Sequence, residues 1–185
     1  MCIRDSTWFL YALTQNPDVE AKVYEEIDRV LGKRTPTMDD LANLSYLNQT
    51  LNETMRMFPA ARATTREAVA DDVLGGYQIK AGDRMFINII GIHMDERYWD
   101  NPEKFDPDRF SPERSEDRHK WAFLPFLNGP RKCIGEPLSR VEMQLIAAIM
   151  LQNFTFRLPA GTKVEQEVRF VLHPKGGLDV IASAR

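Results

Sequence analysis

Cys133 is the residue whose surroundings most clearly permit chemistry. It lies in "FLNGPRKCIGEPL", residues 126–138, between an aromatic residue and the start of a predicted amphipathic helix. Unpaired backbone N–H groups and the positive end of the helix dipole favour a thiolate over a thiol at such a place. A thiolate is either a metal ligand or a nucleophile. The rest of the chain has to decide between these two chemistries.

Charged residues at suggestive spacing occur in two further stretches. "ETMR" places Glu53 and Arg56 at i and i+3 of a predicted helix, and "FDPDRF" places Arg109 in a coil. An isolated pair of this kind is usually solvated and stabilises a helix by about 0.2–0.5 kcal/mol. The spacing alone therefore favours a surface ion pair.

Two predicted helices position the first of these stretches. Asn16 is a candidate N-cap, Pro17 suits the first helical position, and Gly32 predicts the helix end. The next long helix, "NLSYLNQTLNETMRMF", carries the charged pair and stops at Pro59. Both helices show apolar residues at four-residue spacing, so each is expected to pack one face on a core.

The remaining elements predict a mainly α fold with small β-sheets, the α+β class. "TWFLYALT" is apolar nearly all round and predicts the end of a buried helix that needs a cover. Residues 73–92, including the β-rich "RMFINIIGI", predict a small sheet, and a further helix is expected from Leu138. The predicted closing strands are "NFTFRL", "EVRFVL" and "GLDVIA".

Composition limits the class of protein. The chain has 185 residues, 43% hydrophobic and 28% charged, with a formal net charge of -3, which suits one globular unit without a nucleic-acid surface. Two cysteines are too few for a disulfide framework, so a reducing compartment is expected. The three histidines lack metal-ligand spacing. No apolar run approaches the roughly 20 residues that span a bilayer.

Taken jointly, the three stretches resemble the cytochrome P450 family of heme-thiolate monooxygenases. The family's signatures are E-x-x-R, a P-x-R-F coil motif and F-x-x-G-x-R-x-C-x-G, and all three occur here in the family's order. The resemblance runs from Thr7 to Arg185 and includes "GGYQIKAG" and "IHMDERYWDNPEKFDPDRF". It implies the C-terminal part of the P450 fold.

The resemblance implies that Cys133 is the axial ligand of the iron of heme b. Phe126 would shield the sulfur side of the loop from water, and Gly129 and Gly135 would let the backbone approach the porphyrin closely. Leu127 stands where the family usually carries glycine or serine.

Two arginines match the family's propionate-binding positions. They are Arg131 in the cysteine loop and Arg66 on the strand after the E-x-x-R helix. Arg62 and His93 could also contribute, but we interpret both as ordinary polar residues and leave them outside the site.

The family also assigns a structural role to the charged residues. Glu53, Arg56 and Arg109 would form a buried network that locks the coil before the heme loop, important for folding and heme retention rather than for chemistry. The expected edge of the substrate pocket comprises small or apolar residues, for which a place in the core is an equally good explanation. They are Ala61, Ala63, Thr64, Phe170 and Val171.

The implied parent reaction inserts one oxygen atom of dioxygen into a small hydrophobic organic substrate. Electrons would come from NAD(P)H through a ferredoxin, flavodoxin or flavoprotein reductase on the proximal face. Lys132, Arg131 and Arg140 would suit an acidic partner there, although a solvated basic face explains them equally well. A peroxygenase or heme-thiolate isomerase of the same fold remains an alternative, as does a non-catalytic heme-binding fragment.

The family's distal acid–threonine motif is expected at or before Cys2, where the sequence instead reads "MCIRDS". Residues 1–6 are therefore expected to be a non-native start, and residues 7–185 the C-terminal part of a catalytic domain. The chain is then expected to contain no catalytic residue beyond the heme ligand and to be inactive alone. The expected location is cytoplasmic or cytosol-facing, and membrane anchoring is left open.

Overall fold

The computed structural model describes the backbone of residues 2–185 and the side chains from residue 4 onward. Its α-helices are α1 (Cys2–Gln15), α2 (Pro17–Leu31), α3 (Ser45–Met57), α4 (Ile89–His93), α5 (Pro112–Ser115) and α6 (Glu136–Asn153). Its strands are β1 (Ala63–Glu67), β2 (Asp72–Leu74), β3 (Tyr77–Ile79), β4 (Arg84–Asn88), β5 (Phe154–Arg157), β6 (Gln166–Val168), β7 (Leu172–Pro174) and β8 (Ile181–Ala184).

The strands form small antiparallel pairs rather than one sheet. β1 pairs with β4, β2 with β3, β5 with β8 and β6 with β7. The predicted α+β class is thereby confirmed. None of the helices described here is long and apolar enough to cross a membrane.

Local signals set the ends of α2 as the sequence predicts. Pro17 is its first residue, and Gly32 adopts φ 55° while its N–H donates to Asp28 O at 3.0 Å. The Asn16 side chain does not cap α2, because it donates to Ala12 O at 2.7 Å at the end of α1. Asn16 therefore secures the α1–α2 junction from the side of the preceding helix.

The start of α3 is capped from a different helix. The Glu26 carboxylate of α2 accepts hydrogen bonds from Ser45 Oγ at 3.2 Å, Tyr46 N at 2.9 Å and Leu47 N at 2.8 Å. An acceptor at this place satisfies N–H groups that have no partner within the helix. α2 thus fixes the helix that carries Glu53 and Arg56.

The apolar core lies between α1, α2, α3 and α6. Trp8, Phe9 and Leu13 of "TWFLYALT" are buried, and the Trp8 ring stacks on Phe58 at 4.6 Å. This chain therefore supplies much of the cover that the apolar segment needs. The core also includes Val23, Ile27, Leu47, Leu51, Met55, Phe126, Met143, Ala147 and Leu151.

The predicted strand "RMFINIIGI" is wrong in its second half. β4 ends at Asn88, whose side chain accepts a hydrogen bond from Gly91 N at 3.1 Å and so begins the helical turn α4. Ile89 and His93, one turn apart, are both buried. An asparagine cap and helical burial spacing thus override the β propensity of the isoleucines.

Candidate functional site

Two nested backbone hydrogen bonds hold the first part of the Cys133 loop. Cys133 N donates to Phe126 O at 2.9 Å, and Lys132 N donates to Gly129 O at 3.0 Å across a 3-10 turn at Gly129–Arg131. The Cys133 side chain is half-buried and packs at the edge of the core, three residues before α6 begins. The thiol therefore lies on a fixed loop between the core and the surface.

Two residues of the loop adopt left-handed backbone angles. Gly129 has φ 73°, which glycine adopts freely. Leu127 has φ 60°, a conformation that costs an L-residue with a bulky side chain about 1–2 kcal/mol. Glycine, one of the residues that the family usually carries at this position, would remove the cost. The loop of this chain therefore carries backbone strain at Leu127.

The loop offers apolar surface and open space beside the thiol. A Cβ atom added at Gly135 would meet Cys133 Sγ at 3.8 Å, an ordinary contact, so the protein's own packing does not require glycine there. Ile134 is 99% exposed and Leu138 is 64% exposed. The thiol thus lies next to exposed apolar side chains and to a glycine that leaves room beside it. This surface fits a flat apolar group such as heme.

Glu53, Arg56 and Arg109 are brought together in one buried cluster. Arg56 donates from Nε to Glu53 Oε2 at 2.7 Å and from Nη2 to Oε1 at 2.8 Å, while Arg109 Nε donates to Oε1 at 3.2 Å. Asp106 N donates to the same carboxylate at 2.9 Å. All three residues are at most 3% exposed, so Glu53 and Arg56 do not form the surface ion pair that their spacing favours.

Backbone carbonyls of the coil complete the cluster. Arg56 donates to His93 O at 2.8 Å and Pro102 O at 2.7 Å, and Arg109 donates to Asn101 O at 2.8 Å. A buried guanidinium needs a partner for each of its N–H groups. The coil between α4 and Arg109 is therefore wrapped around two arginines and bound to α3.

His93, which the sequence interpretation left outside the site, joins this cluster to the cysteine loop. Its ring is fully buried, with Nδ1 3.1 Å from Arg56 O and Nε2 accepting from Leu124 N at 2.8 Å. Burial lowers the pKa of the ring to about 4, so the imidazole is neutral. A lone histidine directly after a strand-like run gives no sequence signal for this contact.

The two predicted propionate arginines are placed differently from each other. Arg66 on β1 is half-buried and donates to Thr64 Oγ1 at 3.2 Å and Thr65 O at 2.8 Å. Arg131 is exposed, and its side chain makes no hydrogen bond or ion pair with the described residues. No contact joins the two within that part of the chain, and their shared role stays a prediction.

The predicted pocket residues lie on two segments that touch. Leu172 N donates to Ala60 O at 2.9 Å, and Arg62 Nη1 donates to Gln166 Oε1 at 2.8 Å. These bonds hold the β6–β7 hairpin against the segment with the half-buried Ala61, Ala63 and Thr64. Phe170 and Val171 lie in the turn of that hairpin, not on a strand as expected, because the turn spans residues 169–171; Phe170 is 94% exposed.

The basic residues near the loop are partly neutralised. Lys132 Nζ lies 2.7 Å from Glu136 Oε2, and Arg140 Nε donates to Glu136 Oε1 at 2.8 Å. The Arg140 guanidinium also lies over the Phe126 ring at 5.2 Å and donates to Asn52 Oδ1 at 3.0 Å. One carboxylate thus offsets one of these two charges, whereas the exposed Arg131 makes no ion pair with the described residues.

The described residues around Cys133 do not form a metal site with several protein ligands. Among the described residues no three His, Cys, Asp or Glu side chains converge where a bare ion could bind. A single thiolate is instead the ligand set of a metal that arrives in a prosthetic group.

Comparisons with known proteins indicate the family of the chain. The family model described as Cytochrome P450 matches residues 5–179. The chain is 43% identical over 179 residues to putative cytochrome P450 132 of Mycobacterium tuberculosis, which covers 97% of this chain and 39% of the relative. It is 35% identical over 183 residues to protein LUTEIN DEFICIENT 5, chloroplastic, of Arabidopsis thaliana, covering 97% of this chain and 31% of the relative.

A human relative gives the same result. Cytochrome P450 4V2 of Homo sapiens is 38% identical over 176 residues, covering 92% of this chain and 33% of the relative. The chain therefore spans well under half the length of these curated relatives. Since the family model covers nearly the whole sequence and the cysteine loop has the geometry described above, the chain belongs to the cytochrome P450 family, whose cofactor is heme.

Proposed function

We propose that this chain is the heme-binding portion of a cytochrome P450 monooxygenase and that Cys133 is the axial ligand of heme b. The observation that carries the proposal is the position of the half-buried Cys133. Its backbone N donates a hydrogen bond to Phe126 O at 2.9 Å, and the exposed Ile134 and then Gly135 follow it. This arrangement offers one sulfur ligand on a fixed loop beside uncovered apolar surface.

The residues around Cys133 would hold its charge and exclude water. Phe126, the first residue of the loop, is 3% exposed and belongs to the apolar core against which Cys133 packs, so it would keep water from the sulfur side. The N-terminus of α6, three residues beyond Cys133, would stabilise the negative charge of an iron-bound sulfur through the positive end of the helix dipole. Arg131 and Arg66 would bind the two propionates.

When bound, heme would supply the activation of dioxygen, with electrons from NAD(P)H delivered by a redox protein, and one oxygen atom would enter an organic substrate. The β6–β7 hairpin and the segment at residues 61–64 would form the edge of the substrate site. Exposed Phe170 at its turn favours a small hydrophobic substrate. An acidic ferredoxin, flavodoxin or flavoprotein reductase would bind near the exposed Arg131.

The buried cluster of Glu53, Arg56 and Arg109, here called the Glu53 cluster, would stabilise the fold rather than take part in the reaction. Its two guanidiniums hold the coil that leads to the cysteine loop, so its loss would release the loop and the heme.

The test is to titrate the chain with heme, reduce it under carbon monoxide and record the Soret band. We expect the strongly red-shifted band of thiolate ligation, its loss in Cys133→Ser and its retention in Cys2→Ser. Binding of heme without that band would contradict the proposal.

Hydroxylation with a generic reductase system is measured on the same samples. We expect no multi-turnover hydroxylation by this chain alone, because its sequence contains no acid–threonine motif before "ALTQNP". Sustained, coupled hydroxylation would show that the chain is a complete enzyme and would overturn that part of the proposal.

A further inference from the structure

His93 binds the backbone of two segments that are distant in sequence. Nδ1 lies 3.1 Å from Arg56 O at the end of α3, and Nε2 lies 2.8 Å from Leu124 N, two residues before the cysteine loop begins. The ring has no exposed surface. Its two contacts therefore set the separation between α3 and the entry to the loop.

The partners fix where the proton of the ring lies. Leu124 N can only donate, so Nε2 must be the unprotonated acceptor. Arg56 O can only accept, so Nδ1 must carry the hydrogen. His93 is thus held in one tautomer, with a donor facing α3 and an acceptor facing the loop.

The contact to Leu124 continues into the loop through backbone bonds. Leu127 N donates to Leu124 O at 3.2 Å, and Cys133 N donates to Phe126 O at 2.9 Å. The peptide units from Leu124 to Leu127 therefore form one turn, whose start is bonded to His93 and whose end carries the acceptor for Cys133. Displacing Leu124 would displace that acceptor.

The same residue is bonded to the buried charge cluster. Arg56 Nη1 donates to His93 O at 2.8 Å, while His93 Nδ1 faces Arg56 O, so the two residues exchange backbone and side-chain bonds. Arg56 is in turn held by Glu53 at 2.7 Å. A continuous chain of contacts connects the Glu53 cluster to Cys133 through His93.

We propose that His93 is a positioning residue whose Nε2 lone pair fixes the Leu124 amide and thereby places Cys133 against the heme. The inference rests on the proposed function for its heme-bound consequence, whereas its effect on the loop is a property of the protein without heme. His93 acts through the backbone of residues 124–133 and not by touching the cofactor.

Three substitutions of His93 distinguish the roles of the two ring nitrogens from the packing role of the ring. His93→Gln can place an acceptor near the position of Nε2, His93→Asn can place a donor near the position of Nδ1, and His93→Phe keeps the ring without either group. The control is His173→Asn, since His173 bonds Glu167 on the β6–β7 hairpin.

The first readout is amide hydrogen exchange of Cys133 in the heme-free chain. We expect protection of this amide to fall about tenfold in His93→Asn and His93→Phe, the factor that corresponds to loss of one buried hydrogen bond. His93→Gln and His173→Asn should stay close to the wild type. A simple packing role would make glutamine no better than asparagine, and that result would overturn the proposal.

The second readout is the Soret band of the reduced, carbon monoxide-bound heme complex. We expect the share of thiolate-type band to fall in His93→Asn and to be kept in His93→Gln. If the wild type binds heme without that band, the proposed function fails while the exchange data still decide whether His93 positions the loop. If His93→Phe does not fold, the difference in Cys133 protection between His93→Gln and His93→Asn decides the question.

Discussion

Glu53 and Arg56 share two parallel hydrogen bonds, at 2.7 and 2.8 Å, with both side chains completely buried. Such a pair loses hydration on folding, and the loss is offset only when the remaining polar atoms are also satisfied. Here Arg109, Asp106 N and the coil carbonyls supply those partners. The pair therefore stabilises the fold only as long as every member of the cluster is present.

Removal of the Glu53 charge should be costly. Glu53→Gln keeps the shape of the side chain but leaves two buried guanidiniums without a counter-charge, so we expect a loss of about 3–5 kcal/mol in the free energy of unfolding. Urea denaturation of the heme-free chain measures this loss. Glu67→Gln is the control, because its ion pair with Arg84 spans 3.7 Å and is exposed.

Heme retention should follow the same cluster. We expect Glu53→Ala to abolish heme incorporation, which the heme-to-protein absorbance ratio of the purified variant reports. A Glu53→Ala protein that holds heme like the wild type would show that the cluster does not support the loop.

The strained backbone at Leu127 should respond to glycine. At φ 60° the left-handed backbone conformation is strained for alanine and not for glycine. Leu127→Gly should therefore have a free energy of unfolding about 1 kcal/mol higher than that of Leu127→Ala. Comparing the two variants with each other removes the effect of losing the leucine side chain. Equal stability in thermal unfolding would mean that the left-handed conformation is not kept in solution.

Gly135 should matter to heme and not to the heme-free protein. Its φ is -82° and an added Cβ would make only an ordinary 3.8 Å contact with Cys133 Sγ, so Gly135→Ala should leave the unfolding midpoint nearly unchanged. A methyl group facing the porphyrin would weaken heme binding, measured by titration of the heme-free chain. Unchanged heme affinity in this variant would argue against close approach of the backbone at this position.

Stability should fall in mild acid because of His93. Burial lowers the pKa of its ring from 6.5 to about 4, against the hydrogen bond to Arg56 O, which raises it, and with a smaller lowering by the Arg56 charge. Between these values the unfolded chain binds more protons, so the contribution is complete above pH 6.5 and is lost as the pH falls toward 4. Its full size is about 3 kcal/mol at 1.36 kcal/mol per pKa unit.

The measurement is the pH dependence of the unfolding free energy for wild type and His93→Gln. Burial raises the pKa of Asp5 to about 7, which gives a slope of opposite sign, so only the difference between the two proteins isolates His93. Identical slopes from pH 7 to 4 would show that the ring does not titrate as the structure requires.

Local signals in the sequence predict both ends of α2, the stop of α3 before Pro59 and the class of the fold. Pro17 and Gly32 bound α2, and Thr37 with Asp40 forms a capping box, with Thr37 N donating to Asp40 Oδ2 at 2.8 Å. Each of these depends on neighbouring residues only. The end of β4 does not follow from β propensity, because Asn88 caps a helical turn within a β-rich run.

The burial of Glu53 and Arg56 could not be predicted from helix periodicity. Their partners are backbone carbonyls at positions 93, 102 and 104 and the side chain of Arg109, which only the tertiary fold brings to α3. The family motifs placed the three charged residues together without giving this geometry. For His93 even that signal was lacking, because both of its partners are backbone atoms distant in sequence.

The proposed function depends most directly on an iron–sulfur bond at Cys133. X-ray absorption at the iron edge of the heme-loaded chain detects a sulfur atom bonded to iron. A comparison of the Cys2→Ser and Cys133→Ser variants shows which cysteine supplies that sulfur. We predict one sulfur ligand in the wild type and in Cys2→Ser, and none in Cys133→Ser. A sulfur ligand that persists in Cys133→Ser, or a wild type with only nitrogen and oxygen around the iron, would contradict the proposed function.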